Sequence, residues 1–381
     1  MSKKICFITT ATGTLKAFVV PAVWYLSKHT DWEICMMAAD NPEFQSMLPE
    51  GVRFIPVPMK RGISLGGIKA MQQMKKIFKR EKFDLVQYST PNAALYASMA
   101  SKSAKIPVRL YCQWGMAYVG MHGFKRKIFK FIEKRICKMS TWIEPDSYSN
   151  LHFAHGEGLY SADKSSVIGK GSACGVSLEK FDISKKAEYR KLIREKHNIP
   201  ETAFVYGFVG RVTGDKGMNE LLTSFKRISA ENENAYLILV GRIEKTETLH
   251  AELFEWSKTC EKIVYVGSSN IVEQYVSAFD CFVLPSYREG FGMGTIEAQA
   301  MAVPLIITRI PGPIDGVIEN QTAKVVPKAD AEALYVAMSE MPKEDLDAMG
   351  QAGYRFVVEN FEQQKLFGQI LEDRKRLLGV E

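Results

Sequence analysis

The sequence predicts an α/β protein made of two doubly wound parallel sheets in series. Three observations carry this reading. Short apolar runs alternate with amphipathic stretches along the whole chain, the pattern of strand–helix repeats that build parallel sheets. The apolar runs number twelve, too many for one ordinary sheet and suited to two of about six strands. The alternation is interrupted near residues 170–200 by Gly169-Lys-Gly171-Ser-Ala-Cys-Gly175, the charged helical segment Lys185–Lys196 and Asn198-Ile-Pro200.

In the first half the strand candidates are Ile5–Ile8, Glu33–Met37, Val52–Val57, Leu85–Tyr88, Val108–Tyr111 and Trp142–Glu144, with helical patterns such as Gly67–Arg80 and Asn92–Lys102 between them. The opening Met1-Ser-Lys-Lys-Ile-Cys-Phe-Ile is like a signal n-region. Its apolar run breaks at Thr9-Thr10 with no small-residue cleavage site behind it, so it reads as the first strand. The second half gives strands at Phe204–Val209, Tyr236–Val240, Ile263–Val266, Cys281–Leu284, Leu305–Thr308 and Lys324–Val326. From about Leu346 to Leu378 two consecutive helices follow, broken near Asn360. The expected domains are 1–175 and 176–360, with the last helix, about 361–381, packing back on the first.

Of the 381 residues, 46% are hydrophobic and 24% charged, which excludes disordered, collagen-like and coiled-coil chains. No run of 18 apolar residues exists to span a bilayer. The seven cysteines are odd in number and form no CxxC, which fits buried free thiols in a reducing cytosol. The net charge of +7 is unevenly spread: residues 1–175 carry 25 Lys/Arg against 12 Asp/Glu, residues 176–381 carry 25 against 31. A basic half joined to an acidic half points to an anionic partner, either nucleic acid or a membrane surface.

Parallel α/β domains in series bind ligands at the carboxyl ends of their strands, in the cleft between them, so chemistry is expected just after strands. After Phe204–Val209 comes Gly210-Arg-Val-Thr-Gly214-Asp-Lys216-Gly217. Its Arg211 and Lys216 can converge on one anion beside helix N–H groups; the alternative is a solvated turn with two surface charges. No GxxxxGK[ST] motif is present. After Cys281–Leu284 comes Pro285-Ser-Tyr-Arg-Glu289-Gly-Phe-Gly-Met-Gly294-Thr295-Ile-Glu297. Its glycines let backbone approach a ligand, and a helix starting near Met293–Thr295 offers amides to an anion. Glu297, about one turn into that helix, can accept two hydrogen bonds from a vicinal diol such as a ribose. The alternative is a glycine-rich turn with a capping glutamate.

Glu289 to Glu297 forms E-x7-E within Leu-Pro-Ser-x-x-Glu-Gly-Phe-Gly, followed by Glu-Ala-x-Ala-Met-Ala-Val-Pro304. With Gly210-Arg211…Lys216-Gly217 and Val240-Gly241-Arg242, this resembles the retaining glycosyltransferases of family 4, whose GT-B fold consists of two Rossmann-like domains facing a central cleft. The likeness covers roughly residues 204–330 and is specific in order and spacing. Gly171-Ser-Ala-Cys-Gly175-Val…Phe181 is similar to the family's interdomain segment, with Cys174 where Asn is common. The resemblance implies that Arg211 and Lys216 bind the donor diphosphate. It implies that Glu297 holds the ribose, and that Glu289, with Gly290 and the backbone N–H groups of Phe291, Gly292 and Met293, holds the donor sugar. Thr295 is expected to reach the β-phosphate. The backbone around Val266-Gly267-Ser268-Ser-Asn270-Ile271 is expected to frame the base, Gly241 and Arg242 to belong to the donor site, and Gly13 to let the first domain's loop close over the diphosphate.

One feature departs from the family. Many members place a His after the strand matching Val108–Tyr111, where this chain has Cys112-Gln113-Trp114-Gly115. Gln113, or His122 in the next loop, is expected to take that place, the alternative for His122 being a solvated loop histidine. His152-x-x-His155 has metal-like spacing without a third ligand and reads as structural, and the sole D-x-D, Asp345-Leu-Asp347, reads as a solvated helix face. No metal or cofactor is expected beyond the nucleotide-sugar substrate, UDP-linked by resemblance.

The segment 124–138 holds seven basic residues and one acid. Arg126, Lys130, Lys134 and Lys138 repeat every four residues as a charged face. Phe124, Ile128, Ile132 and Ile136, with Phe131 beside them, form an apolar face expected to pack on the sheet. The two readings are a core-packed helix with basic residues in water, and a peripheral contact with anionic lipid, which Lys60-Arg61-Gly62 would join. No nucleic-acid motif appears. The expectation is a cytoplasmic enzyme, peripheral at the inner face of the plasma membrane. It would move a hexose or N-acetylhexosamine from a UDP-sugar to a polyprenyl-diphosphate-linked glycan in capsule, O-antigen or exopolysaccharide assembly. The rivals are a GT-B sugar-nucleotide epimerase and a non-catalytic sugar-binding protein.

Overall fold

The computed structural model describes residues 2–59, 62 and 65–380. The chain divides into two compact domains, Met1–Cys174 with Gln363–Glu381, and Gly175–Glu362.

The first domain holds a six-stranded sheet: β1 (Lys4–Ile8), β2 (Glu33–Ala38), β3 (Arg53–Pro56), β4 (Leu85–Tyr88), β5 (Val108–Gln113) and β6 (Trp142–Pro145), in the order β3-β2-β1-β4-β5-β6. The second holds β7 (Phe204–Val209), β8 (Ala235–Val240), β9 (Ile263–Gly267), β10 (Cys281–Leu284), β11 (Leu305–Thr308) and β12 (Ala323–Val326), in the order β12-β11-β10-β7-β8-β9. All pairings within these sheets are parallel. Numbered within its own domain, each sheet has the doubly wound order 3-2-1-4-5-6, which reverses between its first and fourth strands. The central strands are buried on both faces because helices cover both sides: β4, β10 and β11 are buried at every residue.

The helix Gln363–Leu378 belongs to the first domain. Its Leu371 and Leu378 join the core formed by β1, β2 and helix Val20–His29. Arg374 fixes it there through hydrogen bonds to Gln87 and to both oxygens of Glu144. In the second domain Arg194 does similar work. It donates to the carbonyls of Pro200, Glu201, Ala203 and Ala278 and to the Asp280 carboxylate, holding helix Lys186–Lys196 against the amino end of β10. A cavity of about 490 Å³ lined by Lys186, Arg190 and Asp280 lies at that amino end, away from the strand termini that bear the sequence motifs.

Candidate active site

In the second sheet the order reverses between β7 and β10, which lie side by side with Cys281 opposite Tyr206 and Phe282 opposite Gly207. The two motif loops leave the carboxyl ends of these neighbouring strands and therefore meet. The Tyr287 N–H donates to the Asp215 carbonyl at 3.0 Å. Gly217 permits the approach: its φ is +71°, and a Cβ there would fall on the Pro285 carbonyl oxygen.

Where the loops meet, the Lys216 ammonium donates to both oxygens of Glu289, at 2.6 and 2.7 Å, and Ser286 Oγ donates to the same carboxylate at 2.7 Å. Arg211 is less enclosed, 3.3 Å from Glu244 and 4.0 Å from Asp215. Burial works against the Asp215 charge. The Thr213 hydrogen bond and the charges of Arg288, Arg211 and Lys216 outweigh it and hold the carboxyl below its ordinary range. Asp215, Arg288, Glu244 and Ser286 are thus parts of the site that sequence reasoning did not single out. Asp215 stands beside Lys216 in one motif loop and Ser286 and Arg288 beside Glu289 in the other, so only Glu244 of these four lay outside the motifs.

Beyond β8, Gly241 packs so tightly on Gly210 that a Cβ would meet the Gly210 carbonyl oxygen. Arg242 Nε donates to Ser268 Oγ at 2.8 Å, bringing together two residues of the expected donor site. Ile243 and Ile271 are exposed apolar side chains at the same end of the sheet.

The helix Met293–Ala300 begins after Gly292, whose φ is +82°. Phe291 is buried with its ring 5.2 Å from that of Phe361, so only its backbone is offered to a ligand. Thr295, expected to reach the β-phosphate, is fully buried, and its hydroxyl donates to the Gly292 carbonyl at 2.8 Å, closing the first helical turn. Glu297 is partly open to solvent but surrounded by protein, and it makes no hydrogen bond or ion pair among the described residues. Burial pushes its carboxyl above the ordinary range; nearby Lys180 opposes the rise and Glu273 adds to it.

In the first domain Gly13 lies exposed in the first turn of helix Thr12–Phe18, with open space where a Cβ would stand. Gln113 is fully buried and corrects the expectation of a hydrogen-bonder held free for substrate. Its amide donates to Glu133 at 2.5 Å and accepts from Tyr160 at 2.9 Å, so both ends serve the interior. His122 is exposed just before helix Gly123–Met139 and does not cap it. His155 bonds Ser165 and packs against Tyr160. Among the described residues no three His, Cys, Asp or Glu form a metal-binding group. Asp345 accepts from the Ala348 N–H as a helix cap.

The basic helix Gly123–Met139 is rotated from its expected pose. Arg126 and Lys130 both pair with Glu157, while Lys134 and Lys138 remain exposed. Ile136 is buried and Ile132 packs on the core, but the rest of the apolar face stays outside: Phe124 is 76% exposed, Phe131 62% and Ile128 40%. Lys60 and Arg61 lie outside the described residues. No described helix is long and apolar enough to cross a membrane.

Two doubly wound domains, with a cation pair and two glutamates eight residues apart at the switch point of the second, define a glycosyltransferase of the GT-B class. The chain belongs to the family 4 glycosyltransferases: residues 189–356 match the family described as glycosyl transferases group 1, and residues 4–146 match glycosyl transferase 4-like. It is 30% identical over 317 residues, 82% of each chain, to the capsular polysaccharide biosynthesis glycosyltransferase CapM of Staphylococcus aureus. It is 26% identical, over 75% of this chain and 74% of the relative, to an Escherichia coli UDP-Gal:α-D-GlcNAc-diphosphoundecaprenol α-1,3-galactosyltransferase. Among solved structures, a glycosyltransferase from Rickettsia africae shares the fold over 99% of both chains, with a TM-score of 0.79 and 19% identity.

Proposed function

We propose that this glycosyltransferase takes a hexose or N-acetylhexosamine from a UDP-sugar. It transfers the sugar, with retention and without a metal, to a polyprenyl-diphosphate-linked glycan during surface polysaccharide assembly. The observation that carries the donor reading is Glu297. It is a half-enclosed carboxylate without a hydrogen-bond donor among the described residues, eight residues beyond the Glu289 that Lys216 holds. A ribose diol supplies the two donors that Glu297 lacks. The relatives support the setting: one is named for capsule synthesis, another for a UDP-galactose donor and a diphosphoundecaprenol-linked acceptor.

Departure of the nucleotide builds negative charge on the diphosphate, and preorganised cations stabilise that charge. Lys216 and Arg211 are the cations for this role. Glu289 is held by Lys216 and Ser286, which orients its carboxylate toward a sugar hydroxyl and quenches it as a nucleophile. This favours a same-face transfer, in which the leaving phosphate takes the acceptor hydroxyl's proton, over a covalent glycosyl-enzyme. The acceptor falls to the first domain. We place the enzyme at the inner face of the plasma membrane, with Phe124, Ile128 and Phe131 entering the headgroup layer and Lys134 and Lys138 meeting anionic lipid.

The test is transfer from labelled UDP-sugars to a polyprenyl-diphosphate glycan, with and without chelator, with the product's anomeric configuration read by NMR. Retained configuration and unchanged turnover in chelator are expected; inversion or loss of activity overturns the corresponding part. Flotation with anionic liposomes should be lost when Phe124, Phe131 and Ile128 become serine. Unchanged flotation refutes the membrane face.

A further inference from the structure

The Glu297 carboxylate has a neighbour that no motif announced. Glu273 lies in the first turn of the short helix Val272–Ser277, and its side chain is only 10% exposed. Its Oε2 is buried without a hydrogen-bond partner among the described residues. The nearest cation, the Lys180 ammonium, stands 3.7 Å away, beyond hydrogen-bond reach, on a side chain that is half exposed. Glu273 and Lys180 are the two charges that act on the Glu297 carboxyl. Lys180 thus stands between a buried and a half-enclosed carboxylate, and among the described residues no hydrogen bond reaches the Glu297 carboxylate or the Glu273 Oε2.

We propose that Glu273 is a second hydroxyl-reading carboxylate of the nucleotide site, accepting one ribose hydroxyl while Glu297 accepts the other, so that the pair sets the preference for ribonucleotide over deoxyribonucleotide donors. The proposal rests on the reading of Glu297 as the ribose residue. A buried carboxylate oxygen without a donor is strongly disfavoured unless something arrives to satisfy it. A loose pair with a half-exposed lysine is a weak reason to bury it. The cluster carries two negative charges and one positive, so a phosphate is repelled and the group that fits brings hydrogen-bond donors. A ribose diol does so, and its two hydroxyls match two acceptors better than one.

The experiment titrates UDP, 2′-deoxy-UDP and 3′-deoxy-UDP into the wild-type chain, Glu273→Met and Glu297→Met by calorimetry. Glu273→Met keeps the volume and removes both acceptor oxygens. The wild type should bind UDP on the order of tenfold more tightly than at least one deoxy analogue, the worth of one hydrogen bond to a charged group. Glu273→Met should weaken UDP by that factor and leave that analogue unchanged, erasing the discrimination. Equal weakening of all three ligands, or none, overturns the proposal. Discrimination lost in Glu297→Met but kept in Glu273→Met overturns it while leaving the Glu297 reading intact. Discrimination kept in both, or no UDP binding by the wild type, overturns the ribose site itself. If Glu273→Met does not fold, Glu273→Gln substitutes: it keeps the shape and weakens the charge-assisted bond, so a smaller loss confined to UDP is expected, and an unchanged ratio of UDP to deoxy affinity refutes the proposal.

Discussion

In the first domain Arg374, 1% exposed, is surrounded by Glu144, Gln87 and Asp373, and its ion pair with Glu144 spans 2.6 Å. In the second domain Glu273 is buried and Glu297 half-enclosed, yet among the described residues neither carboxylate has a hydrogen-bond donor. Both regions take charge out of water, but only one completes it from within the chain. A completed buried pair fixes architecture, here a C-terminal helix on the first sheet. An incomplete one leaves a valence that a ligand can fill.

The sharpest way to break this contrast is to make the first region incomplete too. Arg374→Ala strands Glu144 in the interior, and removing one partner of a buried pair costs about 3–5 kcal/mol. Denaturant unfolding followed by tryptophan fluorescence reports this well, because Trp24, Trp32, Trp114 and Trp142 all belong to the first domain. Replacing both partners, Arg374→Met with Glu144→Leu, should recover much of the loss. If Arg374→Ala costs under about 1 kcal/mol, the pair is not the lock described here.

How far this was legible from sequence depends on the range of the signal. All twelve strands follow from local apolar runs, and their observed ends differ by at most two residues from the expected ones. Arg211, Lys216, Glu289 and Glu297 were legible because each sits in a continuous post-strand motif. Glu273 and Glu244 were not, because they lie outside the motif loops and the lateral order of β7, β8, β9 and β10 brings them near, while Arg288 lies within the second motif but its spacing does not show its pairing with Asp215 of the first. Helical phase set a second limit. The repeat in Gly123–Met139 showed two faces, but only packing decides that Ile136 goes in while Phe124 and Phe131 stay out. The same limit hid the inward turn of Thr295.

Within the site, Lys216 tests whether a completed pair can also be functional. It is bound to Glu289, but that pair lies where two loops meet at the strand ends. Lys216→Ala should lower kcat by about 10²–10³, the range for removing one preorganised charge-stabilising group, with Tm nearly unchanged because both side chains border solvent. A loss of stability comparable to that of Arg374→Ala, with kcat preserved, would make Lys216 architectural and dissolve the distinction drawn above.

The smallest effect is the most diagnostic, because its sign reverses between stability and binding. The folded chain raises the Glu297 carboxyl above its ordinary value of 4.5, chiefly through burial. The folded state therefore holds a proton at pH values where the unfolded chain has lost it, and stability falls as pH rises through the raised value. At neutral pH the ionised Glu297 is a cost that the empty site carries. Glu297→Gln removes the ionisation, so its Tm in the absence of nucleotide should equal or exceed that of the wild type at neutral pH, and the difference should vanish as pH drops below 4.5. Saturating UDP should reverse the ranking. A ligand at 100 times its dissociation constant adds about 2.7 kcal/mol, and the variant, short of a charged acceptor for the ribose, should gain less at the same concentration. A variant less stable than the wild type at neutral pH without ligand would mean that the carboxylate is satisfied within the fold, and Glu297 would then join Arg374 as architecture.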